Sequence, residues 1–256
     1  MNKAILLVSF GVSFPETRAK TIDAIEAIVR EKYPEYTVMT AYTSEMIRRK
    51  LSKSGLEIPN TTLALQALAA QGIESVAIQP THLIPGDEYH KMRRQIEKER
   101  ANFKQIKIGA PLMYAPEDYR RLAEVINEVY PRGKDEALVL MGHGTGHPIN
   151  AAYPALDYEF KILGHTNIYV GTVEGYPEVE DVLAYLKEGN YKKVNIAPLL
   201  LVAGDHAQND MADPDDPESW LNIIKDAGYE AEAIVRGLGE YDGIRQMYLD
   251  HLEVIL

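Results

Sequence analysis

Eight short apolar runs punctuate the chain, at residues 4–10, 37–42, 75–79, 106–110, 137–141, 167–173, 194–202 and 231–235. Each is short enough for a buried strand. Between them, apolar residues recur at helical spacing. Ile22, Ile25, Ile28 and Val29 form one such stripe, and Leu63, Leu65, Leu68 and Ala69 a second. Leu122, Val125, Ile126 and Val129 form a third. Stripes of this kind are core. Strands alternating with helices predict parallel pairing and an α/β fold. A polar break, Tyr130-Pro-Arg-Gly-Lys-Asp135, falls near the midpoint. It divides the chain into an expected N-terminal lobe, 1–130, and a C-terminal lobe, 131–256.

The two halves echo each other. Val76-Ala-Ile-Gln-Pro-Thr-His-Leu-Ile-Pro-Gly-Asp-Glu88 aligns with Val194-Asn-Ile-Ala-Pro-Leu-Leu-Leu-Val-Ala-Gly-Asp-His206. Leu7-Val-Ser-Phe-Gly-Val-Ser-Phe-Pro15 aligns with Leu140-Met-Gly-His-Gly-Thr-Gly-His-Pro148. Duplication of a four-stranded parallel α/β unit accounts for both matches; convergence of two strand–loop–helix units is the alternative. A duplicated fold places a ligand in the cleft between two similar lobes, where strand ends converge. The alignment is asymmetric, because His143 stands opposite Phe10 and His206 opposite Glu88.

The stretch 138–148 reads as strand, tight turn and helix. Gly142, Gly144 and Gly146 permit the turn, and Pro148 suits the first turn of a helix. His143 is then held at the carboxyl end of a strand, where open α/β sheets bind ligands. Glu174, in Gly171-Thr-Val-Glu-Gly-Tyr-Pro177, follows the next strand, and His206 the one after. Neighbouring strand ends lie about 5–10 Å apart. Two imidazoles and a carboxylate suit a borderline divalent metal such as cobalt, nickel, iron or zinc. The alternatives are a turn histidine at 143 and a helix cap at 206. His82 sits at a first-half strand end and is a candidate to line the site. His147 reads as an exposed helix-start residue, and His90, His165 and His251 as surface.

Bulk properties narrow the classes. The net charge of −11 argues against nucleic-acid binding. There are no cysteines, which excludes disulfides, thiolate metal sites and cysteine nucleophiles. The first apolar run is too short for a membrane span, so a cytoplasmic protein with no membrane partner is expected. The glycines of 142–146 match neither nucleotide-binding loop pattern, and no nucleotide or organic cofactor is expected.

At these residues the chain resembles a known family. Met141-Gly-His-Gly, Ala152-Tyr153, Val173-Glu-Gly-Tyr-Pro-Glu178, Pro198-Leu-Leu-Leu-Val-Ala-Gly-Asp-His206 and Asn209-Asp-Met-Ala212 are similar to the anaerobic cobaltochelatases of cobalamin biosynthesis. Val8-Ser-Phe-Gly11, Arg49-Lys-Leu51, His82, Gly86-Asp-Glu-Tyr89 and Gly237-Leu-Gly-Glu240 extend the resemblance over the full chain. These are class II chelatases, distantly related to ferrochelatase. The resemblance implies two similar α/β lobes around a tetrapyrrole. It implies insertion of Co²⁺ into sirohydrochlorin or precorrin-2 without nucleotide hydrolysis. It also carries the metal ligands onto His143, Glu174 and His206.

Metal insertion displaces two pyrrole protons. A neutral imidazole is suited to accept them near neutral pH, with His143 the first expected base and Glu174 the second. His82, Glu88 and Phe10 are expected to meet the macrocycle. Because the substrate is a polycarboxylate and the protein is acidic, Arg48 and Arg49 are expected to pair with its carboxylates. The rival readings are a tetrapyrrole or metal carrier without turnover, and an iron or nickel chelatase acting on the same ring.

Overall fold

The computed structural model describes residues 2–256. The first stretch of the chain holds β1 (Lys3–Ser9), α1 (Pro15–Lys20), α2 (Ile22–Lys32), β2 (Thr37–Tyr42), α3 (Glu45–Lys53) and α4 (Thr61–Ala70). There follow β3 (Ser75–Pro80), α5 (Asp87–Glu99), β4 (Gln105–Ile108), α6 (Pro116–Val129), β5 (Glu136–Gly142) and α7 (Ala152–Ile162). The chain closes with β6 (Ile168–Thr172), α8 (Val179–Leu186), β7 (Lys193–Pro198), α9 (Trp220–Asp226), β8 (Glu230–Ala233) and α10 (Asp242–Glu253).

The strands form two four-stranded parallel sheets, ordered β2-β1-β3-β4 and β6-β5-β7-β8. Counted within each half, the two orders are identical, as the internal echo predicts. The central strands β1 and β5 bury nearly every side chain, which is why they read as continuous apolar runs rather than alternating ones. One face of the first sheet, with Leu6, Val8 and Ile78, packs on Leu65 and Leu68 of α4 and Met92 and Ile96 of α5. In the second sheet, Val139, Met141 and Ile196 pack on Val182 and Leu186 of α8 and on Trp220 of α9.

The expected boundary at Tyr130 needs correcting. The chain forms two compact units, one of residues up to Tyr114 together with Asp242–Leu256, the other Ala115–Tyr241. Burial decides the division. Leu122, Ala123 and Ile126 anchor α6 within the second unit, where Arg120 pairs with Glu159 of α7. The last helix, α10, returns to the first unit. Its Ile244, Met247 and Leu252 are buried, and the Tyr248 hydroxyl donates to the Thr81 carbonyl at 2.9 Å. A polar break in the sequence marks the loop before β5, not the seam. A second difference lies at 194–202. The strand stops at Pro198, and Leu199 and Leu201 are buried from a loop, so their apolar character reflects packing and not strand pairing.

His82 illustrates how burial reaches the chemistry of a strand end. Both of its ring nitrogens are buried without a hydrogen-bond partner among the described residues, and its ring stands edge-on to Tyr89. Desolvation pushes its pKa down from 6.5 to about 4. The folded protein keeps His82 neutral in that interval, whereas the unfolded chain takes up a proton. Stability is therefore unaffected above pH 6.5 and is lost as the pH falls towards 4, by on the order of 3 kcal/mol. His82→Phe should flatten the fall in Tm between these limits. Parallel Tm-against-pH curves for the two proteins would remove His82 from the acid response.

Candidate metal centre

Three strand ends of the second unit build one cluster. Past β5 and β6, the backbone pairing continues into the loops: Val173 N–H donates to the Gly142 carbonyl at 3.0 Å, and Glu174 N–H to the His143 carbonyl at 2.7 Å. This pairing brings the side chains of His143 and Glu174 together, with Nδ1 and Oε2 at 3.8 Å. Two glycines make the approach possible. At Gly142 a Cβ would stand 2.4 Å from the Tyr153 ring. At Gly144, where φ is +81°, a Cβ would stand 2.6 Å from the backbone nitrogen of Gly175. Asn150 staples the same two loops, accepting from Thr145 N–H at 3.0 Å and donating to the Tyr176 carbonyl at 2.6 Å.

His206 arrives differently. The loop after β7 is tied by Leu238 and Gly239, whose amides donate to the Leu200 and Leu201 carbonyls at 2.8 and 2.9 Å. A π-helical turn, Ala207–Met211, follows His206, with Ala207 and Met211 buried in the core. Wide turns of this kind recur at functional sites, where they re-aim side chains. Here the turn sets Asp210 against His206, with Oδ2 at 2.8 Å from Nδ1.

The two imidazoles meet nearly perpendicular, with ring centroids 4.5 Å apart. One ligand atom each from His143, Glu174 and His206 can be chosen so that all three lie within 4.8 Å of one another. Metal–nitrogen and metal–oxygen bonds are about 2.0–2.2 Å, so small rotations of these part-exposed side chains suffice to share one ion. His143 Nδ1 lies 2.9 Å from the Gly144 carbonyl. With protons on both Nδ1 atoms, facing this carbonyl and Asp210, the two Nε2 lone pairs are left for a metal. Three such ligands would leave coordination positions open, unlike a closed structural site.

A family model described as cobalt chelatase (CbiK) matches residues 3–256. The chain belongs to this family. Over 258 residues it is 41% identical to a sirohydrochlorin cobaltochelatase of Salmonella typhimurium, covering 100% of this chain and 97% of the relative. It is 35% identical to sirohydrochlorin cobaltochelatase CbiKC of Nitratidesulfovibrio vulgaris, covering 98% and 89%. Among solved structures, SirB from Bacillus subtilis with Fe³⁺ matches with a TM-score of 0.69 at 14% identity, covering 99% of this chain and 95% of SirB. CbiX, the terminal enzyme of sirohaem biosynthesis in denitrifying bacteria, matches with a TM-score of 0.59 at 17% identity, covering 99% of both chains. At those identities the structures attest the two-sheet chelatase fold.

The remaining candidates of this CbiK-family chain separate. Phe10, just past β1, is 44% exposed. Glu88, in the first turn of α5, lies 3.5 Å from Lys91 Nζ, which also donates to the Thr43 carbonyl. Arg48 departs from expectation. Its Nε donates to the Ile58 carbonyl at 2.8 Å, one terminal nitrogen donates to both Glu45 oxygens at 2.9 Å, and its side chain is only 16% exposed. Its guanidinium serves the fold of α3, and only Arg49 of the pair faces solvent. His147 accepts from Ile149 N–H and caps the turn at Pro148, a turn-start residue as expected but half-buried where exposure was expected. Asp210 enters the sequence analysis only inside the motif Asn209-Asp-Met-Ala212, without a role, and Asn150 not at all. Besides that motif, the His206–Asp210 spacing of one helical turn is the signal for the first; nothing local marks the second. Among the described residues, no helix is long and apolar enough to cross a membrane.

Proposed function

We propose that this chelatase inserts Co²⁺ into sirohydrochlorin or precorrin-2 in cobalamin biosynthesis, in the cytoplasm and without nucleotide hydrolysis. The carrying observation is the cluster of His143, Glu174 and His206 at three successive strand ends of a full-length CbiK-family chain. Its naming relatives are sirohydrochlorin cobaltochelatases.

The substrate ion is held by His143, His206 and Glu174 through its first coordination positions. Pyrrole nitrogens take the open positions as the ring arrives. Two N–H bonds break, two protons leave and Co²⁺ replaces them, so the charge at the ring centre balances. Each proton needs an acceptor within hydrogen-bond reach. His143 is the first choice, because its imidazole exchanges a metal bond for a proton as the ion moves to the ring. Glu174, the most exposed of the three, is the second and passes protons to solvent. Phe10, Glu88 and Arg49, at the carboxyl edge of the first sheet, are the proposed ring contacts, and His82, with both ring nitrogens buried, supports that edge. His82 acts there through the packing of its neutral ring on Tyr89.

An anaerobic absorbance time course with sirohydrochlorin, excess Co²⁺ and catalytic enzyme tests this reading. Many product equivalents per enzyme are expected. A trace that stops at one equivalent identifies a carrier instead. Running Fe²⁺ and Ni²⁺ in parallel separates the cobalt reading from the iron and nickel ones.

Asp210 tests how the site is aimed. Asp210→Asn keeps the size of the side chain but removes the charge that favours Nδ1–H on His206. Loss of such a partner typically costs about 10–100-fold in metal affinity or activity. The expected signature is a raised KM for Co²⁺ with unchanged tetrapyrrole affinity, and partial recovery in Asp210→Glu. Wild-type Co²⁺ dependence in Asp210→Asn would leave His206 oriented by other means.

A further inference from the structure

The outer face of α5 reverses the charge of the molecule. On a protein of net charge −11, Arg93, Arg94 and Lys98 line a groove of about 670 Å³ with Tyr89, Glu97 and Tyr114. Its one acid is already committed, since Arg100 donates to both Glu97 oxygens at 2.9 and 2.8 Å. Arg94 and Lys98 form no ion pair among the described residues. Arg93 is held against the buried Tyr89, 6.0 Å from the ring centre and 3.4 Å from its hydroxyl. This groove lies apart from the proposed ring contact on the same helix. At about 100° per residue, Glu88 and Glu97 point to opposite sides of α5.

We propose that this groove is a second anion site, which captures the carboxylate arms of the tetrapyrrole. The proposal rests on the polycarboxylate substrate of the functional reading. Arg94 and Lys98 lie one turn apart, about 6 Å along the axis. Cations so spread match several separated carboxylates better than one compact phosphate. Arginine forks add bidentate geometry, and Tyr114, 61% exposed, offers an aromatic face to a flat conjugated ring. The benefit is kinetic. A polyanion approaching an acidic protein is repelled at long range, and a local basic groove raises its encounter rate at low salt.

The test uses the full chain and stopped-flow fluorescence quenching with sirohydrochlorin. In Arg93→Glu/Arg94→Glu/Lys98→Glu, the association rate constant should fall about tenfold or more at low salt and converge on the wild-type value at high salt. The turnover number at saturating substrate should not change. Arg94→Gln/Lys98→Gln, a milder pair checked by circular dichroism, should show a smaller fall in the same direction. Tricarballylate should slow capture by wild type and not by the triple variant. Unchanged association rates and salt dependence in both variants would overturn the proposal. Competition by pyrophosphate but not tricarballylate would also overturn it, by giving the groove to phosphate. Capture is read from metal-free tetrapyrrole, so His143→Ala should retain it. A failure of cobalt insertion is thereby distinguishable from a failure of the groove.

Discussion

His143→Ala and His206→Ala each lose cobalt insertion by about a hundredfold or more and still bind sirohydrochlorin. The expectation follows from how little redundancy the cluster has. Among the described residues, one group of three potential ligands satisfies the spacing for an ion, and it draws one side chain from each of three strand ends. Removing either imidazole leaves an exposed carboxylate and one nitrogen, too few to hold a divalent ion against water. His143→Ala also removes the proposed first proton acceptor, so it should cost at least as much as His206→Ala. The first unit offers no substitute. The position aligned with His143 is Phe10, and Phe10→Leu should retain substantial turnover, since nothing there ligates a metal. Insertion is followed by absorbance and binding by fluorescence quenching, on protein checked by circular dichroism. Parent rates in both histidine variants would dismiss the assignment. Loss of tetrapyrrole binding together with insertion would show the histidines acting on the macrocycle, and Co²⁺ titration would then decide whether they bind metal at all.

The fold was legible because its signals are local. The inner strands β1, β3, β5 and β7 and their neighbours β2 and β6 lie on apolar runs, and buried parallel strands leave that mark without needing a partner to explain it, whereas the edge strands β4 and β8 alternate polar and apolar residues. The duplication was visible for the same reason: equivalent strand ends carry equivalent Pro and Gly-Asp positions, and the two sheets share one strand order. Seams between units are different. That α6 joins the second unit and α10 the first depends on which core buries Ile126 or Met247, and an amphipathic stripe does not name its partner. The cluster of His143, Glu174 and His206 could be anticipated from strand-end positions. Its supports could not. Asn150 works through contacts 26 residues away, at Tyr176, and Asp210 through a π-helical turn that no periodicity announces. Arg48 shows the opposite error. A basic run looks available for ligand, yet the carbonyl of Ile58 and the carboxylate of Glu45 had already taken it. The α5 groove has no sequence signal because Arg93, Arg94 and Lys98 are interspersed with Glu97 and Glu99, and Tyr114, which completes it, is distant in the chain.

Gly144→Ala should disable the site while leaving the two sheets folded. A residue with φ of +81° costs about 1–2 kcal/mol once it carries a Cβ. The new methyl would also stand 2.6 Å from Gly175 N and 2.8 Å from Glu174 C. Both are backbone atoms, pinned by the Glu174 amide on the His143 carbonyl and by the Asn150 staple, so neither yields cheaply. The loops must part, and they carry two of the three proposed ligands. A misplacement of about 1 Å at reacting groups costs on the order of a hundredfold in rate, and overpacking adds about 1–3 kcal/mol of destabilisation. The expected result is a large loss of turnover and Co²⁺ affinity with a lowered Tm. Gly146→Ala, two residues on, supplies the control. A Cβ there meets nothing within 4 Å and its φ is not positive, so the same added methyl should leave affinity and turnover close to the parent. If the two variants behave alike, the close approach of the His143 and Glu174 loops does not set the geometry of the metal ligands.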